Sequence, residues 1–172
     1  VFLGAFFYAI VYTVWLKRRT WLNIVIGGLA GSFSVLAGAA AVDPTIGILP
    51  LLLALVLFLG TPPHFWGLAI ANRADYAAAG VPMLPVVVGD ARAAHVVFIS
   101  TLALVGASLL PAFFGVGPIY LVGAISGGGY FIYKAWQLAR SPSRKTAMGS
   151  FFASLIQLSV LLAAAMIDAL VF

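Results

Sequence analysis

The segment IGILPLLLALVLFLGTPPHFW, residues 46–66, contains no charged side chain and is dominated by leucine. A helix needs about 20 mostly apolar residues to cross the hydrocarbon core of a bilayer. This segment is long enough for one crossing, and an uncharged run of this length is typical of a transmembrane helix. The segment therefore predicts a membrane-spanning protein.

The remainder of the chain has the same composition. The 172 residues are 64% hydrophobic and only 8% charged, too few charges to solvate the surface of a soluble domain of this size. Together with 46–66, five further apolar stretches predict a six-span, all-α transmembrane bundle: 1–16, 22–42, 93–114, 118–138 and 148–171. Without a repeat, linker or compositional break, residues 1–172 form one membrane domain. Since Val1 lies inside an apolar run, we expect a longer natural protein.

The basic residues indicate how the bundle is oriented. All nine lie in or beside the first, third and fifth connections: Lys17, Arg18, Arg19, Arg73, Arg92, Lys134, Arg140, Arg144 and Lys145. With six spans, these connections share one side, which the positive-inside rule predicts to be cytoplasmic, with the C-terminus outside. The net charge of +5 thus reflects topology rather than nucleic-acid binding. The absence of cysteine excludes disulfides and thiolate metal sites.

Polar residues gather after the third span, in PPHFWGLAIANRADYAAAGVPMLP, residues 62–85. If the helix continues, His64, Asn72 and Asp75 fall within an arc of about 80°, with Arg73 on the opposite face. Such a stripe could coordinate a hard cation or bind a phosphate through one. The alternative is a solvated loop with a surface ion pair.

Local signals along the chain predict packing and helix ends. Gly80 suits a left-handed helix cap, and the small-residue pair Gly27 and Gly31 indicates a helix contact. The glycines of SGGGY, residues 126–130, indicate either a kink or a close helix approach. Other polar residues are expected at the interface or in solvent: His95, Asp43 and Asp168.

A second polar cluster lies in the first connection, within YTVWLKRRTWLNIVIGGLAG, residues 12–31. The three adjacent cations at 17–19 could act only to set the orientation of the spans, with side chains that snorkel to the membrane surface. They also face the same side as Asp75, and cations are natural partners of phosphate oxygens. Together the two clusters would suit a substrate with a diphosphate head and a lipid tail held among the spans.

These two stretches, the second extended to TPPHFWGLAIANRADYAAAGVPMLPVVVG at residues 61–89, resemble the UbiA family of intramembrane prenyltransferases. Within it they are most similar to the protoheme IX farnesyltransferase, or heme O synthase, branch. With the order and spacing of the spans, the resemblance covers essentially the whole chain. It implies a nine-span α-helical bundle with a central cavity in the bacterial inner membrane, of which this chain holds the last six spans. It also implies farnesyl transfer from farnesyl diphosphate to a vinyl group of heme b, with Mg²⁺ holding the diphosphate.

The resemblance also implies roles for particular residues. Lys17 and Arg18 would bind the diphosphate, and Asp75 would be the metal ligand or the acid on the diphosphate side. The remaining matches would bind substrate: Tyr12, Asn23, His64, Asn72, Arg73 and Tyr76, with His64 in contact with heme.

Two departures from the family pattern limit what the resemblance implies. The first aspartate-rich motif should precede Val1, so we expect these 172 residues alone to be incomplete as an enzyme. The prolines usual after GGLAG are replaced by SFSVLAG, which leaves the shape of the second span open.

Two alternative functions remain open, and the resemblance implies a set of partners. A related enzyme acting on another aromatic acceptor, and a non-catalytic or transport membrane subunit, both remain open. Expected partners are heme b, farnesyl diphosphate, membrane lipid, and either the cytochrome oxidase assembly machinery or heme A synthase.

Overall fold

The computed structural model describes residues 2–171, and regular structure within that range is entirely helical. A π-helix, Phe7–Leu16, continues α1, and a short 3₁₀ helix, Leu110–Phe114, follows α6. The α-helices are α1 Phe2–Phe6, α2 Asn23–Val42, α3 Ile48–Ala71, α4 Arg73–Ala78, α5 Leu84–Val88, α6 Asp90–Ser108, α7 Pro118–Arg140 and α8 Arg144–Val171. The predicted all-α class is confirmed.

Four helical segments are long and apolar enough to cross a membrane: Asn23–Val42, Ile48–Ala71, Asp90–Phe114 and Arg144–Val171. The predicted first span is a shorter apolar helix, Phe2–Leu16. The predicted fifth span is α7, which has 23 residues but also contains several glycines and Lys134. Length and composition therefore support four of the six predicted spans directly, and the other two are helical at the predicted places.

Helix α3 is the central element, because it packs against α2, α6 and α8, while α7 lies between α6 and α8. Small side chains fill these interfaces, which allows the backbones to approach closely in a membrane bundle. The fully buried alanines are Ala69, Ala93, Ala94, Ala124, Ala135, Ala147 and Ala153. The uninterrupted run of α2 also shows that SFSVLAG leaves the second span a regular helix.

Glycines occupy the closest of these contacts. Gly27 lies against the ring of Tyr12, and Gly31 lies against Leu57 of α3, as the small-residue pattern predicted. In α7, Gly127 packs on the backbone of Gln157 in α8. Since α7 runs unbroken through residues 126–130, Gly127 and Gly128 serve close approach rather than a kink, Gly128 against Val105 of α6.

The helix does not continue through the polar segment as predicted. Asn72 has φ −120° and ψ 31°, which ends α3 and starts the separate short helix α4. The predicted stripe therefore divides: His64 lies on α3 and Asp75 on α4. The predicted stop is confirmed, since Gly80 has φ +65° and the amide of Val81 donates to the carbonyl oxygen of Tyr76 at 3.0 Å.

Asp168 is buried, which corrects the expectation that it is solvated. Its side chain is 5% exposed and accepts hydrogen bonds from the backbone amides of Gly117, Ile119 and Tyr120, the latter two at 3.1 Å. A carboxylate at this position satisfies free amides at the N-terminus of α7. Asp43 is exposed as expected, and hydrogen bonds from Thr45 hold the pKa of its carboxyl below the ordinary value.

Candidate functional site

One cavity of about 330 Å³ opens beside the first basic cluster. We call it the cationic cavity, and its lining consists of Tyr8, Tyr12, Thr13, Lys17, Ile24, Gly27, Thr61 and Phe65. The rings of Tyr8 and Tyr12 stack with centroids 5.8 Å apart. All three adjacent cations are exposed, and Lys17 is the one that lines this cavity.

Asn23 fixes the backbone at Lys17. Its side chain is fully buried at the start of α2, and Nδ2 donates to the carbonyl oxygen of Lys17 at 3.1 Å. The amide of Lys17 in turn donates to the carbonyl oxygen of Tyr12 at 2.9 Å, closing the π-helix. Asn23 thus fixes the backbone position of Lys17. The Oδ1 atom of Asn23 has no hydrogen-bond partner among residues 2–171.

A second cavity, of about 170 Å³, lies deeper between α3, α6 and α8. We call it the histidine cavity. Its polar lining residues are Thr61, His64, Ser154 and Gln157, and the rest of its lining is almost entirely apolar. The ring of His64 stacks on Phe151 with centroids 4.5 Å apart, which restricts its rotation.

The hydrogen bonds of Ser154 assign the tautomer of His64. The Ser154 hydroxyl donates its single hydrogen to the carbonyl oxygen of Phe151 at 2.6 Å. It therefore accepts from Nδ1 of His64, which lies 2.7 Å away. In the neutral imidazole this leaves a lone pair on Nε2, available to a ligand atom or a proton.

Gln157 is a polar side chain that the sequence reasoning missed. It is 3% exposed in the middle of α8, lines the histidine cavity, and its Nε2 has no hydrogen-bond partner among the described residues. A buried amide without a partner is unfavourable in an apolar interior. One amide within the apolar run SLIQLSVLL, residues 154–162, was the signal that could have revealed it.

The two cavities adjoin, because Thr61 and Phe65 of α3 line both. Lys17 lines the cationic cavity and His64 lines the histidine cavity. The arrangement offers a cation for an anionic group and a mostly apolar interior for a lipid chain.

Asp75 lies at the same end of the bundle as Lys17 but on a different element. Helix α2 runs away from Lys17, and α3 packs against α2 in the opposite direction. Helix α4, which follows α3, therefore lies at the Lys17 end of the bundle. The rings of Trp21 and Trp66 are 6.1 Å apart at this end. Asp75 is exposed on α4 and lines neither cavity.

The neighbours of Asp75 in the second motif have structural partners. Arg73 pairs with Asp90 at 3.4 Å, and Nδ2 of Asn72 donates to the carbonyl oxygen of Leu68 at 3.2 Å. Tyr76 packs against the hydrophobic core, as does Tyr12.

The described residues can supply part of a magnesium site. Mg²⁺ prefers several oxygen ligands in octahedral geometry, and within residues 2–171 no three acidic or histidine side chains cluster closely enough to hold an ion. Asp75 forms no ion pair within residues 2–171 and could provide one ligand. Since Mg²⁺ usually keeps several waters and binds substrate phosphates beside one or two carboxylates, those groups could complete the set.

These features define an all-helical membrane protein with an apolar interior cavity and a cationic rim. The UbiA prenyltransferase family model matches residues 1–160, and the chain belongs to that family. A solved structure reported for digeranylgeranylglyceryl phosphate synthase in membranes has a TM-score of 0.85 over 99% of this chain and 60% of its own, at 22% identity, which supports the fold.

Curated relatives share more of the sequence. Protoheme IX farnesyltransferases 2 and 1 of Paramagnetospirillum magneticum (strain ATCC 700264 / AMB-1) are 65% and 55% identical, covering 99% and 98% of this chain. The protoheme IX farnesyltransferase of Thioalkalivibrio sulfidiphilus (strain HL-EbGR7) is 48% identical over 94% of it. The chain spans 59%, 60% and 54% of the lengths of these three relatives.

Proposed function

We propose that the protein containing this chain transfers a farnesyl group from farnesyl diphosphate to a vinyl group of heme b, giving heme O. The activity named for its relatives supports the choice of substrates. The structural observation that carries the proposal is the pair of adjoining cavities, with Lys17 at the rim and His64 inside. A prenyl diphosphate has the matching form, an anionic head and an apolar tail.

The reaction requires the chain to stabilise a leaving group and protect a carbocation. Lys17, with Arg18 beside it, neutralises charge that develops on the departing diphosphate. The mostly apolar lining excludes water from the allylic cation until the vinyl group attacks it. The attack leaves a cation on the other carbon of the former vinyl group. Water then adds to that carbon and loses a proton, giving the hydroxyethylfarnesyl side chain of heme O, while diphosphate is the leaving group. In this scheme Nε2 of His64 contacts the heme, while Ser154 keeps the ring oriented.

Magnesium is the expected cofactor, and when bound it would neutralise the diphosphate. Asp75 would supply one of its oxygen ligands, while Asn72, Arg73, Tyr76, Tyr12 and Asn23 would shape the surrounding substrate site. The basic residues at one end of the bundle support a cytoplasmic active face in a bacterial inner membrane. Heme A synthase or the cytochrome oxidase assembly machinery would then receive the product.

The acceptor can be tested with membranes containing the full-length protein. Farnesyl diphosphate is supplied with either heme b or 4-hydroxybenzoate, and products are separated by chromatography and weighed by mass spectrometry. We expect farnesylated heme and no farnesylated benzoate. Prenylation of the aromatic acid alone would assign the protein to the alternative acceptor class, and no transfer to either would favour a non-catalytic role.

The role of Asp75 can be tested in the same assay. Asp75→Asn should lower heme O formation about 100-fold or more, the range expected for loss of a group that stabilises the transition state electrostatically. Asp43→Asn is the matched control, because Asp43 is exposed in a turn at the opposite end of the bundle. Unchanged turnover in Asp75→Asn, at normal protein abundance, would remove Asp75 from the mechanism.

A further inference from the structure

A groove outside both cavities lies between the C-terminal end of α7 and the N-terminal end of α8. It encloses about 620 Å³, and we call it the basic groove. Lys134, Trp136 and Arg140 line it from α7, and Lys145, Thr146 and Gly149 line it from α8. None of these residues lines the cationic cavity or the histidine cavity.

The cations of the basic groove have no carboxylate partner among the described residues. The chain contains four acidic residues, Asp43, Asp75, Asp90 and Asp168, and none is near the groove in sequence. Within residues 2–171 the ion pair that forms is Arg73 with Asp90. Three positive charges from two helices therefore face one space without neutralisation, which favours an anionic occupant.

Lys134 makes side-chain contacts that hold its ammonium group at the groove. Nζ of Lys134 donates to Oε1 of Gln137 at 3.3 Å and lies 5.4 Å from the ring centroid of Tyr133. Gln137 donates in turn to the hydroxyl of Tyr133 at 2.8 Å. Gly149 of α8 lies across from the aliphatic stem of Lys134, where an added Cβ would make an ordinary van der Waals contact of 4.0 Å with Cδ.

Aromatic side chains place the groove at the level of the lipid headgroups. Tyr130, Tyr133 and Trp136 are exposed on the C-terminal half of α7, and such rings concentrate at the membrane–water interface. The guanidinium carbon of Arg140 lies 5.1 Å from the ring centroid of Trp136. Lys134 precedes Arg140 by six residues, about 9 Å along the helix, so the groove extends from the helix end toward the hydrocarbon.

We propose that the basic groove binds the phosphate headgroup of an anionic phospholipid. Lys134, Arg140 and Lys145 contact the phosphate oxygens, and the exposed rings of α7 lie along the upper acyl chains. A membrane lipid fits better than a soluble phosphate, because aromatic residues at headgroup depth flank the cations. Basic pockets between spanning helices are a known way to recognise such headgroups.

The test uses purified full-length protein in a neutral detergent. Dioleoylphosphatidylglycerol or dioleoylphosphatidylcholine is titrated in, and bound lipid is counted by native mass spectrometry. Each basic residue near a membrane surface strengthens binding of anionic lipid about fivefold. The variant carrying K134Q, R140Q and K145Q should therefore lose roughly 100-fold of its affinity for phosphatidylglycerol, and the single variant Lys134→Gln about fivefold.

Arg92→Gln is the matched control, because Arg92 is an exposed cation at the same end of the bundle outside the groove. It should keep the wild-type preference. Equal binding of the two lipids, or an unchanged triple variant, would overturn the proposal. If the triple variant does not fold, Lys134→Gln decides the question. Displacement of the lipid by equimolar sn-glycerol 3-phosphate would also overturn it, in favour of a small-anion site. No substrate is present, so the result is independent of the proposed farnesyl transfer.

Discussion

Two buried polar side chains on α8 each make hydrogen bonds that join this helix to another part of the bundle. Asp168 closes the N-terminus of α7 with three amide hydrogen bonds, while Ser154 orients His64 toward one tautomer. Each contact joins residues that are about 50 or more positions apart in sequence. In an apolar bundle such contacts are few, and each one is correspondingly hard to replace.

Replacing Asp168 should therefore destabilise the bundle. Asp168→Ala leaves three amides at the start of α7 without their acceptor, and we expect a loss of about 1–3 kcal/mol in the free energy of unfolding. Thermal unfolding of the full-length protein in detergent measures it. Asp43→Ala, in an exposed turn, is the control and should change stability less. Equal shifts in the two variants would contradict a capping role for Asp168.

At the scale of elements, glycines determine how closely the helices pack. Gly123 of α7 faces Ala164 of α8, where an added Cβ would stand closer than real atoms do, whereas Gly129 on the same helix has open space around it. The two positions therefore differ in packing and share the same helical backbone.

This contrast gives a matched pair of substitutions. Gly123→Ala should destabilise the α7–α8 contact by about 1–3 kcal/mol, because neither backbone can yield easily. Gly129→Ala should be neutral or stabilising by up to about 1 kcal/mol, the helix-propensity difference between the two residues. Thermal unfolding of both variants under identical conditions measures the difference. If the Gly123→Ala variant unfolds at the same temperature as the Gly129→Ala variant, the close approach of α7 and α8 is not maintained in the membrane.

For the whole molecule, one end carries the basic residues and both polar motifs. Lys17 and α4 lie there, as does the basic groove, while the Asp43–Thr45 turn and Asp168 lie at the other end. This separation of charge is the basis of the proposed orientation, and it can be measured without any assumption about the reaction.

Orientation can be read from cysteine accessibility, since these 172 residues contain no cysteine. Single cysteines are introduced as Thr45→Cys and Pro142→Cys, both at exposed positions, after replacement of any cysteine elsewhere in the full-length protein. In intact cells, a membrane-impermeant maleimide should label Thr45→Cys and should reach Pro142→Cys only after lysis. The reverse pattern would place the basic end outside.

The amino-acid sequence was sufficient to predict the long apolar helices, their order and the family. Runs of about 20 apolar residues specify spans because the bilayer requires every backbone group to be bonded within its own helix. Glycine at a left-handed position specified the end of α4, since backbone sterics are local. Lys17 and Asp75 could be placed at one end because alternation of spans fixes the side of each connection.

The tertiary structure alone decided what fills the interior. The cap formed by Asp168 and the set His64–Ser154–Gln157 arise between elements that are adjacent only after packing. Hydrophobicity specifies that a helix is buried in the membrane, but it does not specify which helix it contacts. Hydrogen bonds and close contacts between residues distant in sequence determine which helices pack together. These contacts form only when the bundle assembles.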